Sequence, residues 1–295
     1  ARGVYVSILT DRAFLRQGTL RYIHDAIKNS NEPAVVFWKY GYFDEKKGIL
    51  QSEKEEAGVK NFNSMELLGN FSRTLDAHFL PRPHVGCYRH DLVEKIRHSI
   101  GRLYLPYGPD YTSSLLVLAY SNSVIFVPRP LVFFQGASVS SGTKAQSSVL
   151  QYIDSLNVPD LYRYVPIKAP INGSLIFNDF VKIKNLVGGN LRNIDIDWGF
   201  YFCACYQELM ERRIIWKADE GIQTELWKGW KEALASSDKR IQKTVKKEIR
   251  KRWVKIFKSY IRSTFIGNIL FEIKRAFSGK PTRFYADALE AGGFK

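Results

Sequence analysis

A chain of 295 residues is long enough for one large domain or two modest ones, and its 45% hydrophobic content excludes a chain that is disordered throughout. No stretch stays apolar for the roughly 18 to 20 residues that a membrane-spanning helix needs. The net charge of +15 is concentrated in one segment. Residues 239–262 carry 11 basic residues and one acidic residue, and this net charge of +10 is two thirds of the total.

The three cysteines, Cys87, Cys203 and Cys205, are too few for a disulfide framework, and they lack the second ligand pair of a zinc site. We therefore expect reduced packing residues in a cytoplasmic protein. The chain opens with Ala1 inside a strand pattern, so we also expect sequence upstream of it.

The first elements alternate between strand and helix. Residues 3–9 (GVYVSIL) have the pattern of a buried strand, and 18–28 that of a helix with Leu20 and Ile27 on one face. A second strand is expected at 34–43. This alternation predicts a layered α/β sheet.

The next stretch is less regular. Residues 51–80 are charged and irregular, which suggests a variable insert. A helix is expected to begin near His90 and another to run over 109–120. Two short strands should follow, separated by prolines at 128–130.

From residue 146 the pattern becomes helical, at 174–186, 194–215, 223–235 and from 238 towards 277. We therefore expect two regions, an α/β part over 1–143 and a helical extension over 144–295.

Three segments place polar groups at the end of an apolar element: Thr10-Asp11-Arg12, Gly86 to Arg89, and Gly108 to Tyr111. Asp110 follows a proline that suits a helix's first turn. Its carboxylate is either a general base or simply a favourable charge at a helix N-terminus.

Four segments in order carry a resemblance: "ARGxYVxxL" with its Asp-containing turn and "xGTL", then "GCYRHDLVEKI", "PYGPDYTSSLLVLA" and "VIFVPRPLVFFQGASVS". Together they resemble the family 2 glycosyltransferases, inverting enzymes with a GT-A fold. The resemblance covers about residues 1–141. It implies a Rossmann-like sheet, here its C-terminal part without the N-terminal nucleotide-binding strands, followed by the helical extension.

The resemblance implies that Thr10, Asp11 and Arg12 stand where the family holds the donor's diphosphate through Mg²⁺ or Mn²⁺. Asp11 would be the metal ligand. A single carboxylate beside an arginine is a poor cage for a hard cation. Arg12 is therefore also a candidate for direct contact with phosphate.

The resemblance further implies that Asp110 is the general base for an acceptor hydroxyl. Gly86, Cys87 and Arg89 match a stretch that often lines the acceptor side. His84 lies just ahead of that stretch, and we expect it to bind the acceptor together with these three residues. The implied reaction moves a sugar from a nucleotide-sugar donor to a glycan or lipid-linked acceptor, as in cell-envelope polysaccharide synthesis.

Apolar residues recur every four positions within 239–262, among them Ile241, Val245 and Trp253. A basic amphipathic helix of this kind suits an anionic membrane surface, which would make the protein peripheral at the inner face of the membrane. The alternative is a stripe packed against the helical extension. Two other functions stay open: a catalytically inactive glycosyltransferase-like partner, and nucleic-acid binding, which the absence of a recognisable module disfavours.

Overall fold

The computed structural model describes residues 3–44, 48–52, 54–74, 79–105, 108–135, 161–214 and 220–263. These form a mixed α/β structure. The strands are β1 (Tyr5–Val6), β2 (Ala13–Leu15), β3 (Val35–Asp44), β4 (Ile49–Ser52), β5 (Lys60–Asn63), β6 (Gly86–Arg89) and β7 (Ser123–Gln135).

The described helices are α1 (Thr19–Asn29), α2 (Ser64–Thr74), α3 (His90–Ile100), α4 (Pro109–Tyr120), α5 (Asn172–Val187), α6 (Trp198–Ile214), α7 (Glu220–Ala235) and α8 (Lys239–Ser263). Short 3₁₀ turns lie at Pro83–Val85 and Gly189–Asn193. The helices predicted at 18–28 and 109–120 are confirmed.

The seven described strands form one mixed sheet in the order β1-β6-β3-β7-β2, with β4 paired to β3 and β5 paired to β7. Only β3 and β7 run parallel, and every other described pair is antiparallel. The predicted α/β class is therefore confirmed. Its assignment to a GT-A sheet stays a prediction.

Two long central strands hold the sheet together because their valines, isoleucines and aromatic residues suit a surface that is buried on both sides. Val35 and Val36 of β3 and Val132 of β7 are fully buried. The two strands predicted around Pro128 and Pro130 are instead one strand, β7. Its pairing with β3 shifts register at these prolines, which have no backbone N–H to donate.

The prediction of a buried strand over residues 3–9 is wrong. Only Tyr5 and Val6 pair, and they do so at the edge of the described sheet. Val4, Ile8 and Leu9 are exposed. The apolar run indicated burial, but an edge strand has a neighbour on one side only.

Residues 51–80 are not simply an irregular insert. They contribute β5, which pairs with the first part of β7, and α2, whose Leu67, Leu68 and Phe71 are buried. The Oδ1 atom of Asn63 accepts hydrogen bonds from the backbone N–H groups of Met65 and Glu66 in the first turn of α2. Asn63 therefore caps the N-terminus of this helix.

Helices α5 and α6 pack on this α/β part, α5 against α4 and α6 against α2. The rings of Phe71 in α2 and Phe180 in α5 lie 5.5 Å apart between centroids. The described residues up to Gln242 form one compact unit, and those from Lys243 onward belong to a second. The boundary predicted at residue 143 lies outside the described residues.

The predicted basic segment is helical, as α8. Within its first part, Val245 is fully buried and Ile241 and Ile249 are half-buried, whereas the bases around them are exposed. Among the described helices, none is both long enough and apolar enough to cross a bilayer.

Candidate functional site

The candidate site is centred on the N-terminus of α4. Gly108 precedes the helix with a positive φ of 53°, a conformation that glycine adopts without strain, and Pro109 occupies the first turn. Gly108 accepts hydrogen bonds from the backbone N–H groups of Tyr111 and Thr112, at 2.9 Å each. This tight start brings Asp110 to the exposed end of an otherwise buried helix.

Asp110 is half-buried, and burial raises the pKa of its carboxyl group above the usual aspartate value. The guanidinium of Arg82 and the backbone N–H groups of Asp110 and Tyr111 oppose that rise in pKa. A carboxylate with fewer water contacts and a raised pKa is a better proton acceptor than a solvated one.

Arg82 reaches this region because the segment before β6 is anchored to the sheet. Tyr88 of β6 is buried, and its hydroxyl donates a hydrogen bond to the carbonyl of Pro81. The Arg82 carbonyl accepts a hydrogen bond of 2.9 Å from the backbone N–H of Val85, which closes the 3₁₀ turn. Both contacts restrict the backbone from which Arg82 projects.

The Arg82 side chain lies among aromatic rings. Its guanidinium carbon is 5.2 Å from the centroid of the Tyr40 ring. Burial acts to lower the pKa of Arg82, but interactions with Tyr40, Tyr111 and Asp110 outweigh it, so the pKa is raised. Arg82 therefore stays charged in a site that is largely closed to water.

His84 lies two residues further along and is half-buried. Burial first, and the charge of Arg82 second, lower the pKa of His84 to about 4. The imidazole ring is 5.4 Å from the ring of Phe134, in an edge-on arrangement. His84 is therefore neutral near pH 7, and its predicted acceptor-binding role stays a prediction.

The Thr10-Asp11-Arg12 turn lies near the same end of the sheet. The backbone N–H of Ile8 donates to the carbonyl of Pro83 at 3.1 Å, and Arg12 accepts from the backbone N–H of Gln135 at 3.0 Å. Ala13 is then paired with Phe134, whose ring contacts His84. The structure thus places the predicted donor-binding turn beside the segment that carries Arg82 and His84.

The surroundings of Asp11 do not fit a divalent cation. Its side chain is 88% exposed, and the Nε atom of Arg12 lies 4.0 Å from its Oδ1 atom. The described ranges contain no group of three or more His, Cys, Asp or Glu side chains that could hold a metal. Mg²⁺ and Mn²⁺ prefer several oxygen ligands, which one exposed carboxylate beside a cation does not supply.

Gly86 and Cys87 need correction as acceptor-binding residues. A Cβ atom on Gly86 would lie 3.1 Å from the carbonyl oxygens of Arg82 and Val36, so this glycine permits close packing. Cys87 is 4% exposed, and burial raises its pKa to about 12. It belongs to the hydrophobic cluster under α1, and neither residue offers a surface to an acceptor.

Arg89 lies at the other end of β6 from the 3₁₀ turn. Its guanidinium pairs with Asp91, with an Nε to Oδ1 distance of 2.7 Å, and it donates to the carbonyl of Glu32 at 2.9 Å. These contacts hold the turn between α1 and β3. Arg89 is therefore outside the cluster around Asp110.

Two clefts share lining residues with the surroundings of Arg82. One of about 600 Å³ includes Ser7, Ile8, Pro83 and Tyr88 in its lining. The other, of about 370 Å³, is lined in part by Tyr40 and Tyr42. The first cleft adjoins the Arg82 segment through Pro83, and the second adjoins it through Tyr40, whose ring lies beside the Arg82 guanidinium.

Sequence analysis missed Arg82 and Tyr40. The signal for Arg82 was present, because an arginine between two prolines directly follows the buried Leu80. Tyr40 gave no signal, since alternating aromatic residues are expected of any sheet strand.

Comparisons with known proteins add no relative to these observations. No protein-family model matches the chain, and no curated protein matches it. The assignment of the site therefore depends on its own geometry, which combines a half-buried carboxylate at a helix N-terminus, an enclosed guanidinium and an exposed polar turn.

Proposed function

We propose that the protein is an inverting glycosyltransferase that moves a sugar from a nucleotide-sugar donor to a hydroxyl of a glycan or lipid-linked acceptor. The observation that carries the proposal is the half-buried Asp110 at the start of α4, whose pKa is raised by burial. The resemblance of four ordered segments supplies the reaction class.

In this mechanism the Asp110 carboxylate takes the proton from the acceptor hydroxyl. The hydroxyl oxygen attacks the anomeric carbon of the sugar, and the bond from that carbon to the donor's diphosphate breaks on the opposite side. The electron pair leaves with the diphosphate, so the anomeric configuration inverts. One positioned carboxylate is sufficient, because one proton leaves at a single place.

The arrangement of the other residues supports two substrates. Thr10 and Asp11 of the turn are exposed, as a donor-binding loop has to be, and Arg12 is half-buried. The turn lies near the Arg82 segment through the contact of Ile8 with Pro83. One cleft lined by Pro83 and another lined by Tyr40 offer space for ligands close to Arg82.

The proposal is tested by measuring sugar transfer from a panel of nucleotide sugars, using the longest natural form of the protein and its Asp110→Asn variant. We expect the variant to lose about 10²- to 10⁴-fold in kcat, the usual contribution of a general base. Asp25→Asn is the matched control, since this aspartate is exposed on α1. No transfer by any natural form favours the inactive-partner alternative.

We further propose that the exposed basic side of α8 binds anionic lipid, which would hold the enzyme at the inner face of a membrane. The helix carries exposed bases along its first half, whereas Val245 on its apolar stripe is buried and is not free to insert. Binding there is electrostatic, at about 1 kcal/mol for each basic residue near the surface.

Vesicles containing phosphatidylserine test this second proposal. Replacing Lys246 and Lys247 by alanine should lower the binding constant for the vesicles, measured by co-sedimentation, roughly thirtyfold, since two such contacts are lost. Alanine at Lys228 and Lys231, exposed on α7, removes the same charge elsewhere. Salt-dependent binding to RNA or DNA without binding to vesicles favours the nucleic-acid alternative instead.

A further inference from the structure

The enclosed Arg82 raises a question that the proposed function does not answer. Its Nε atom is buried and has no hydrogen-bond partner among the described residues. A buried donor without an acceptor is unfavourable, because it has lost water and gained nothing in return. An orphaned guanidinium donor in a site indicates a ligand that brings oxygen atoms to it.

The charges near Arg82 are consistent with an anionic ligand. His84 is neutral near pH 7, because burial and Arg82 lower its pKa to about 4. Burial raises the pKa of Tyr111, so its hydroxyl is neutral at that pH, and Asp110 is a carboxylate whose charge acts on Arg82. Guanidinium groups bind phosphate oxygens with paired donors, and they do so most strongly where water is excluded.

The exposed turn cannot supply the same charge through a metal. Asp11 is a single solvated carboxylate with Arg12 beside it, and this donor set does not suit a divalent cation. A diphosphate leaving group still needs positive charge as its bond to the sugar breaks. Among the residues near the turn, Arg82 combines a fixed charge with an enclosed position.

We propose that Arg82 binds the diphosphate of the nucleotide-sugar donor directly and replaces the divalent cation. The inference depends on the proposed glycosyltransferase function for the identity of the anion. During transfer the guanidinium keeps its protons and stabilises the negative charge that gathers on the departing diphosphate. The acceptor proton goes to Asp110, so no metal takes part in either step.

The test uses inorganic pyrophosphate as the probe and calorimetric titration of the full chain with EDTA present. We expect binding in EDTA and no tightening when Mg²⁺ or Mn²⁺ replaces the chelator. Arg82→Ala should weaken binding at least about tenfold, the effect of losing charge-assisted hydrogen bonds. Arg82→Lys should be intermediate, because lysine keeps the charge but not the paired donors.

Arg73→Ala is the matched control, since Arg73 is an exposed arginine at the end of α2. Thermal unfolding with and without pyrophosphate shows which variants fold, and the lysine variant is the test if the alanine variant does not. Pyrophosphate binding that requires Mg²⁺ or Mn²⁺ overturns the proposal. Equal binding by wild type and Arg82→Lys, or no binding by the wild type, also overturns it.

These outcomes are separate from those for the glycosyltransferase function. Sugar transfer that depends on Asp110 and stops completely in EDTA would support the glycosyltransferase function and contradict the proposed role of Arg82. Metal-free pyrophosphate binding through Arg82, with no sugar transfer by any natural form, would support the anion site and contradict the glycosyltransferase function.

Discussion

Asp11 and Asp110 stand in similar places along the chain, yet their surroundings differ. Each lies at a junction between a turn and an apolar helix or strand segment. Asp11 is 88% exposed, with Arg12 as its neighbour. Asp110 is half-buried at the start of α4, where burial raises its pKa. The comparison teaches that desolvation, rather than residue type, distinguishes the better proton acceptor.

The largest effect we expect comes from replacing each of the two aspartates by asparagine in separate variants. Asp110→Asn should lower the rate of sugar transfer by about 10²- to 10⁴-fold, whereas Asp11→Asn should lower it by less than about tenfold. The reason is that only the first removes the carboxylate that is proposed to take the proton of the acceptor hydroxyl. Steady-state rates at saturating donor measure both, and equal losses would remove the distinction between the two sites.

The second prediction concerns the support beneath Arg82. Gly86→Ala places a Cβ atom 3.1 Å from the carbonyl oxygens of Arg82 and Val36, so the strand or the Arg82 segment has to shift. We expect a loss of about 1 to 3 kcal/mol in the free energy of unfolding, as for other overpacked sites. Urea denaturation measures it.

Gly69→Ala serves as the control for that substitution. Gly69 lies within α2, and its nearest contact is a flexible arginine side chain at 3.8 Å. Alanine there should raise the free energy of unfolding by about 0.5 to 1 kcal/mol. A harmless Gly86→Ala substitution would mean that the Arg82 segment is loosely held.

The third prediction is a stability effect at Asp110 that depends on pH. Burial raises the pKa of Asp110 in the folded state, so ionisation as pH rises through that value removes stability. Asp110→Asn should therefore raise the melting temperature at neutral pH. The gain should vanish at pH values well below 3.8, the ordinary aspartate value, where both folded and unfolded chains are protonated.

Calorimetric melting curves at both ends of that pH range measure the difference. The matching Asp11→Asn variant should show no comparable gain, because that side chain is solvated in the folded state. A variant at Asp110 that is less stable at neutral pH would show that its carboxylate is held by favourable contacts instead.

The smallest effect concerns Cys87, which is next to the site in sequence but faces the core. Burial raises the pKa of its thiol to about 12, and Cys203 and Cys205 are buried as well. We expect none of the three thiols to react with a thiol reagent in the native protein at pH 8, and all three to react in denaturant. Rapid labelling of Cys87 would restore it as an acceptor-side candidate.

Several features could be predicted from the sequence because they depend on local chemistry. The start of α4 at Pro109 follows from a glycine, a proline and a first-turn carboxylate. The helical periodicity of residues 239–262 likewise predicted α8. In each case the signal comes from residues that are within one or two helical turns of each other in the chain.

Other features required the tertiary structure, because they depend on residues far apart in sequence. Burial of Tyr88 and its bond to Pro81 bring Arg82 towards Asp110, 28 positions later in the chain. The edge position of β1 left Ile8 and Leu9 exposed although their run is apolar. The sequence by itself determined which side chains were available. The packing of β6, β3 and α4 decided which of these side chains lost contact with water. Those side chains acquired a perturbed pKa or, in Arg82, a hydrogen-bond donor without an acceptor.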